Sequence, residues 1–204
     1  MNYGHDDNPF GRWPKSKSPQ ELRFAFGLII NQMGQRVERI SELLKWESGV
    51  SITPGSDDAE IDLVPDLIAQ IGALDTLSEI EFAAELSKLP PQVAKTLGTV
   101  MSRDILDDNT YRMVFDAGLL WGEAFRIRYP AAVWALARPP KSSVHYGNPV
   151  VVGTDKFKTE FDPILELYGS VGLRLVGTEG DWSLSKLMKM RAFTMGYGAD
   201  PRID

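Results

Sequence analysis

Ala117–Trp134 reads AGLLWGEAFRIRYPAAVW. A helical pattern containing Gly118 and Gly122 runs into Pro130, and a strand-forming pattern centred on Trp134 follows. Proline lacks a backbone donor and restricts the residue before it, so the helix should end at Tyr129. Each glycine costs about 1 kcal/mol relative to alanine in a helix interior, so a closely packed neighbour must compensate. Over 111–129, Val114, Gly118, Trp121 and Phe125 form one stripe, while Asp116, Glu123 and Arg126 lie toward another side. Glu123 and Arg126 stand at i, i+3, a pairing worth about 0.2–0.5 kcal/mol. The stretch reads as scaffold, with an ion pair beside a buried Trp121.

Upstream of it the pattern is helical. Residues 1–17 read as an extended arm that Phe10 and Trp13 can pin to the body. Ser18-Pro19-Gln20-Glu21 combines an N-cap, a proline at the first helical position and a capping-box glutamate. The helix it opens should run to about Trp46, with Leu22, Phe26, Ile29, Met33, Val37, Ile40 and Leu44 at helical spacing. Shorter helices are expected at 62–74, 78–89 and 92–105, and Asp107–Thr110 caps the helix of the opening stretch.

Downstream the period changes. AVWALAR (132–138) and NPVVVGT (148–154) read as two strands joined by a turn-rich link. EFDPILELYGS (160–170) predicts a short helix with Asp162 as cap and Pro163 at its first position. GLRLVGT (172–178) predicts a third strand, and SLSKLMKMRAFTM (183–195) a closing helix. Helices first and a small sheet late predict an α+β fold: one domain over 18–204, helical over 18–107, with a helix and a small antiparallel sheet over 108–204.

Composition narrows the chemistry. The 204 residues contain no cysteine, which removes disulfides, thiolate metal sites and a cysteine nucleophile. No apolar run reaches the roughly 20 residues of a membrane span, and the N-terminus has no apolar signal-peptide core. The expected location is cytoplasmic, with no membrane association. A net charge of −6 argues against nucleic acid as a partner. Walker A, G-x-S-x-G and H-E-x-x-H patterns are absent, so no cofactor is expected.

The charge is concentrated. Residues 46–87 hold ten of the 28 acids and none of the 22 basic residues. A field of one sign orients and accelerates encounter with an oppositely charged partner. Asp57, Asp58, Glu60, Asp62, Asp66, Glu79, Glu81 and Glu85 are therefore the candidate partner-binding residues, with Ile61 or Phe82 as apolar anchors. The bland alternative is a solvated face, with Ser56–Asp62 capping a helix rather than binding a cation.

The Gly-Glu on an apolar helix, the Tyr-Pro stop, Trp134, the strand Pro149–Gly153 and Phe161-Asp162-Pro163 together resemble a module of uncharacterised bacterial proteins of the toxin–immunity and interaction type. The resemblance covers roughly the last half of the chain, implies a binding role and carries no catalytic residues. The leading expectation is a non-enzymatic protein, of the immunity or inhibitor kind, that docks a basic toxin or effector through its acidic surface. One alternative is a hydrolase or metal-dependent enzyme, which requires Asp116, Glu123 and His145 to converge. The other is a structural subunit of a larger assembly, which requires a large exposed apolar patch.

Overall fold

The computed structural model describes residues 8–10, 17–87, 91, 103–137, 145–154, 159–178 and 183–197. The fold is α+β. Among the described residues it has six helices, a two-stranded sheet and a three-stranded sheet, both antiparallel.

Helix α1, Pro19–Ser48, opens on the expected capping box, in which Ser18 and Glu21 bond each other's backbone N–H. It ends at Gly49, whose φ of +74° suits glycine. One side of α1 buries Leu22, Ala25, Ile29, Val37, Ile40 and Leu44. Of the N-terminal arm, Phe10 is buried with its ring 6.3 Å from that of Phe115. Trp13 lies outside the described residues.

Helix α2, Asp58–Ile71, starts four residues earlier than its apolar pattern suggested, because Asp57 accepts from the Glu60 N–H and caps it there. Pro65 is consequently inside the helix, where it removes one ladder bond. Strand β1, Leu74–Thr76, pairs with β2, Asp104–Leu106, in the register Asp75 to Ile105. The helix expected over 92–105 is thus replaced by strand at its C-terminal end, and its remainder lies outside the described residues. Between the two strands runs α3, Glu79–Ser87, which has no buried residue.

The opening stretch belongs to α4, Asp108–Arg128, capped by Asp107. Thirteen of its 21 residues are buried, including the whole run Met113–Gly122. The two glycines have a direct cause. A Cβ on Gly118 would lie 2.7 Å from Ile164, and one on Gly122 would lie 2.3 Å from the Trp134 ring. No other residue fits either contact.

Strands β3 (Val133–Leu136), β4 (Pro149–Val152) and β5 (Glu160–Phe161) form the second sheet in sequence order, with Trp134 opposite Val151 and Val151 opposite Phe161. The third strand is therefore Glu160–Phe161, not 172–178. Residues 172–175 complete α5, Pro163–Leu175, which Asp162 caps and whose Ile164, Leu167 and Val171 face the core. Helical burial of that 3,4-spaced set outweighs the strand-like composition of the last turn. Helix α6, Leu184–Thr194, closes the chain over the core. Trp121, Phe125 and Phe161 cluster at the centre, with ring centroids 4.8 and 5.3 Å from that of Phe161.

Candidate functional site

The acidic segment divides at Gly72. On α2, the apolar residues Ile61, Val64, Leu67 and Ile68 face the core and bring the intervening carboxylates up against other helices. Asp58 meets Arg128 of α4 at 2.7 Å and Lys189 of α6 at 3.0 Å. Partial burial raises its pKa, and the Lys189 and Arg128 contacts outweigh this, leaving the carboxyl below its ordinary value. Asp62 accepts from the Ser185 N–H, the Ser185 hydroxyl and the Ser183 hydroxyl, each at 2.7 Å. It thereby ties the first turn of α6 to α2. Asp66 accepts from Arg174 Nε of α5 at 2.5 Å.

This corrects the expectation of one continuous outward surface over Asp57–Glu85. Asp58, Asp62 and Asp66 have partners from α4, α5 and α6, and Asp57 is occupied in capping α2. Ile61, a candidate anchor, is fully buried. Half-buried Glu60 forms no ion pair among the described residues.

Beyond Gly72, Asp75, Glu79 and Glu81 face outward. Glu79 is 90% exposed and reaches Arg103 only at 3.9 Å. Glu81 is exposed and closes a capping box, accepting from the Ser78 hydroxyl at 2.6 Å and the Ser78 N–H at 3.0 Å. Those bonds hold its carboxyl below the usual range. Glu85 and Phe82 are half-buried, and Asp75 is exposed on β1. Ile80, between Glu79 and Glu81, is 83% exposed. Ile80 is not among the expected anchors, although its flanking acids set it apart from the core pattern in the sequence.

The three residues of the enzymatic alternative enter three separate constellations. Asp116 is buried, accepts from Arg36 at 2.8 Å and has Arg39 at 3.9 Å. Glu123 accepts from Arg126 at 2.8 Å, the expected pairing, and from Trp134 Nε1. His145 Nδ1 lies 3.2 Å from Asp162 Oδ2, which also accepts from the Asn148 amide at 2.7 Å. The bond to Asp162 raises the His145 pKa against the opposing effect of burial. Near it, burial raises the Glu166 pKa despite Arg191 at 2.8 Å. Asp162 was legible only as a helix cap; its second oxygen's contacts depend on how β4 and α5 meet.

The described surface includes two grooves. One, of about 510 Å³, runs from Pro9 along Gln20, Phe24 and Leu28 of α1. The other, of about 240 Å³, lies between α5 and α6 and is lined by Leu165, Glu166, Leu173, Leu187 and Arg191. Neither includes Asp116, Glu123 or His145. Among the described residues no His, Asp or Glu group is arranged to hold a metal ion, and no helix is long and apolar enough to cross a membrane. No protein-family model, curated protein or solved structure matches the chain.

Proposed function

We propose that this chain is a non-enzymatic, cytoplasmic binding protein of the immunity or inhibitor kind, which docks a basic protein through the outer surface of β1 and α3. The observation that carries this reading is the exposure of α3. None of Glu79–Ser87 is buried, and Ile80 is 83% exposed between two glutamates. A nine-residue helix has little intrinsic stability in water, and α3 lacks the buried stripe that holds the other helices in place. Asp75, Glu79 and Glu81 supply outward negative charge for steering. Ile80 supplies an apolar anchor of the kind that limits dissociation. A basic cleft that otherwise holds phosphates is the complementary surface, with carboxylates taking the phosphate positions.

The test compares the wild-type chain with Glu79→Lys and Ile80→Ser in pull-downs from the native host at low and high salt. The purified pair is then followed kinetically. A basic protein should be retained at low salt and released at high salt. Glu79→Lys should lower the association rate, and Ile80→Ser should raise the dissociation rate. Retention that ignores salt and both substitutions would overturn the proposal.

A further inference from the structure

Helix α1, with 30 residues, is the longest helix among the described residues, and the pattern of its outward face is self-complementary. Opposite the buried stripe stand Arg23, Phe24, Gly27, Ile30, Asn31, Gly34 and Glu38. Phe24 is 70% exposed and Ile30 is 40% exposed. Arg23 and Glu38 are exposed, and neither has an ion-pair partner among the described residues. A Cβ added at Gly27 or Gly34 would meet nothing within 4 Å, so packing within the protein does not require glycine at either position.

From this face we infer that the chain forms a two-fold homodimer through antiparallel packing of α1 against α1 of a second copy. A two-fold axis passing between Ile30 and Asn31 makes the pairing specific. It sets Gly27 opposite Gly34 of the second copy, and Gly34 opposite its Gly27. It also sets Arg23 opposite Glu38 of the second copy and repeats that ion pair by symmetry, so opposite charges meet twice. Phe24 then lies over the turn from Gly34 to Glu38 of the second copy, where the missing side chain of Gly34 leaves room for the ring. Small residues seven positions apart fall on one side of a helix after two turns, and they let two backbones approach closely. The same patch serves both copies, as an isologous interface requires.

Charge decides for a second copy over an unrelated helix. Arg23 and Glu38 stand equidistant from the centre of the patch, so a second copy presents each of them with its opposite charge. This inference uses a different surface from α3 and does not depend on the docking proposed there.

Sedimentation of the full chain over a concentration series should show a monomer–dimer equilibrium. Gly34→Leu, which has open space in the protomer, should abolish the dimer while leaving the fold intact by circular dichroism. Arg23→Glu and Glu38→Arg should each weaken association by about tenfold, and the double reversal should restore it. Because the chain contains no cysteine, Asn31→Cys beside the axis should form an intermolecular disulfide on mild oxidation, whereas Glu47→Cys, far from it, should not. A wild-type chain that stays monomeric at every concentration would overturn the inference. So would a dimer that tolerates Gly34→Leu, or one in which the double reversal fails to rescue.

Discussion

Helices α2 and α3 come from the same acidic segment, both open on an acidic first turn, and neither has a basic residue in its last turn. They have opposite fates. Helix α2 buries five of its residues, and its carboxylates reach Arg128, Arg174, Lys189 and the start of α6. Helix α3 buries no whole residue; Glu79 faces outward and Glu81 caps the helix itself. The difference arises from the apolar residues between the acids. Ile61, Val64, Leu67 and Ile68 fall on one side of α2 and draw it into the core, where its acids meet cations carried by later helices. Acidic residues therefore become a docking surface only where burial has not already supplied them with partners.

The comparison can be broken most severely at Asp62. Asp62→Ala removes three hydrogen bonds at the first turn of α6 and should destabilise the protein by about 2–3 kcal/mol, read from urea unfolding. An effect below 0.5 kcal/mol, the range of ordinary surface substitutions, would place α2 in the same class as α3. Asp58→Asn should cost less, about 1 kcal/mol, because solvent screens its ion pairs with Arg128 and Lys189. Its pH dependence sharpens the point. The folded carboxyl sits below the ordinary 3.8, so its stabilisation is complete above that value and is lost as pH falls through the folded pKa. In Asp58→Asn that part of the acid limb should vanish from the unfolding profile.

Glu166 gives the opposite sign. Burial raises its folded pKa above the ordinary 4.5, so its contribution is present below that value and is lost as pH rises through the folded pKa. Glu166→Gln should flatten that decline in melting temperature measured across the range. The smallest stability effect is expected in α3: Ile80→Ser should shift unfolding by less than about 0.5 kcal/mol, since the side chain is already in water. A larger loss would mean that Ile80 supports the fold rather than a partner.

Two pairs of glycines repeat this lesson. Gly118 and Gly122 on α4 are held against Ile164 and Trp134, whereas Gly27 and Gly34 on α1 face open space. The four-residue spacing of Gly118 and Gly122 within a helix predicted a closely packed neighbour, and the i, i+3 spacing of Glu123 and Arg126 predicted their ion pair. The second pair went unnoticed, because a glycine that nothing approaches gives no local signal. The strand expected over 172–178 failed for a related reason. Leu173, Arg174 and Leu175 fit either state by composition, and the helical face begun at Ile164 carries them onward.

From the sequence alone, the α+β class, the capping box at Ser18, the cap at Asp107, the stop at Pro130 and the crowding of acids into residues 46–87 were all determined. These depend on neighbours within a few turns, where backbone chemistry and spacing suffice. Only the tertiary structure decided which acids are neutralised, since Asp58, Asp62 and Asp66 meet partners more than a hundred residues away, or seventy in the case of Arg128. Electrostatic partners are chosen by how helices pack, and packing is set by apolar residues whose distant contacts no local pattern encodes.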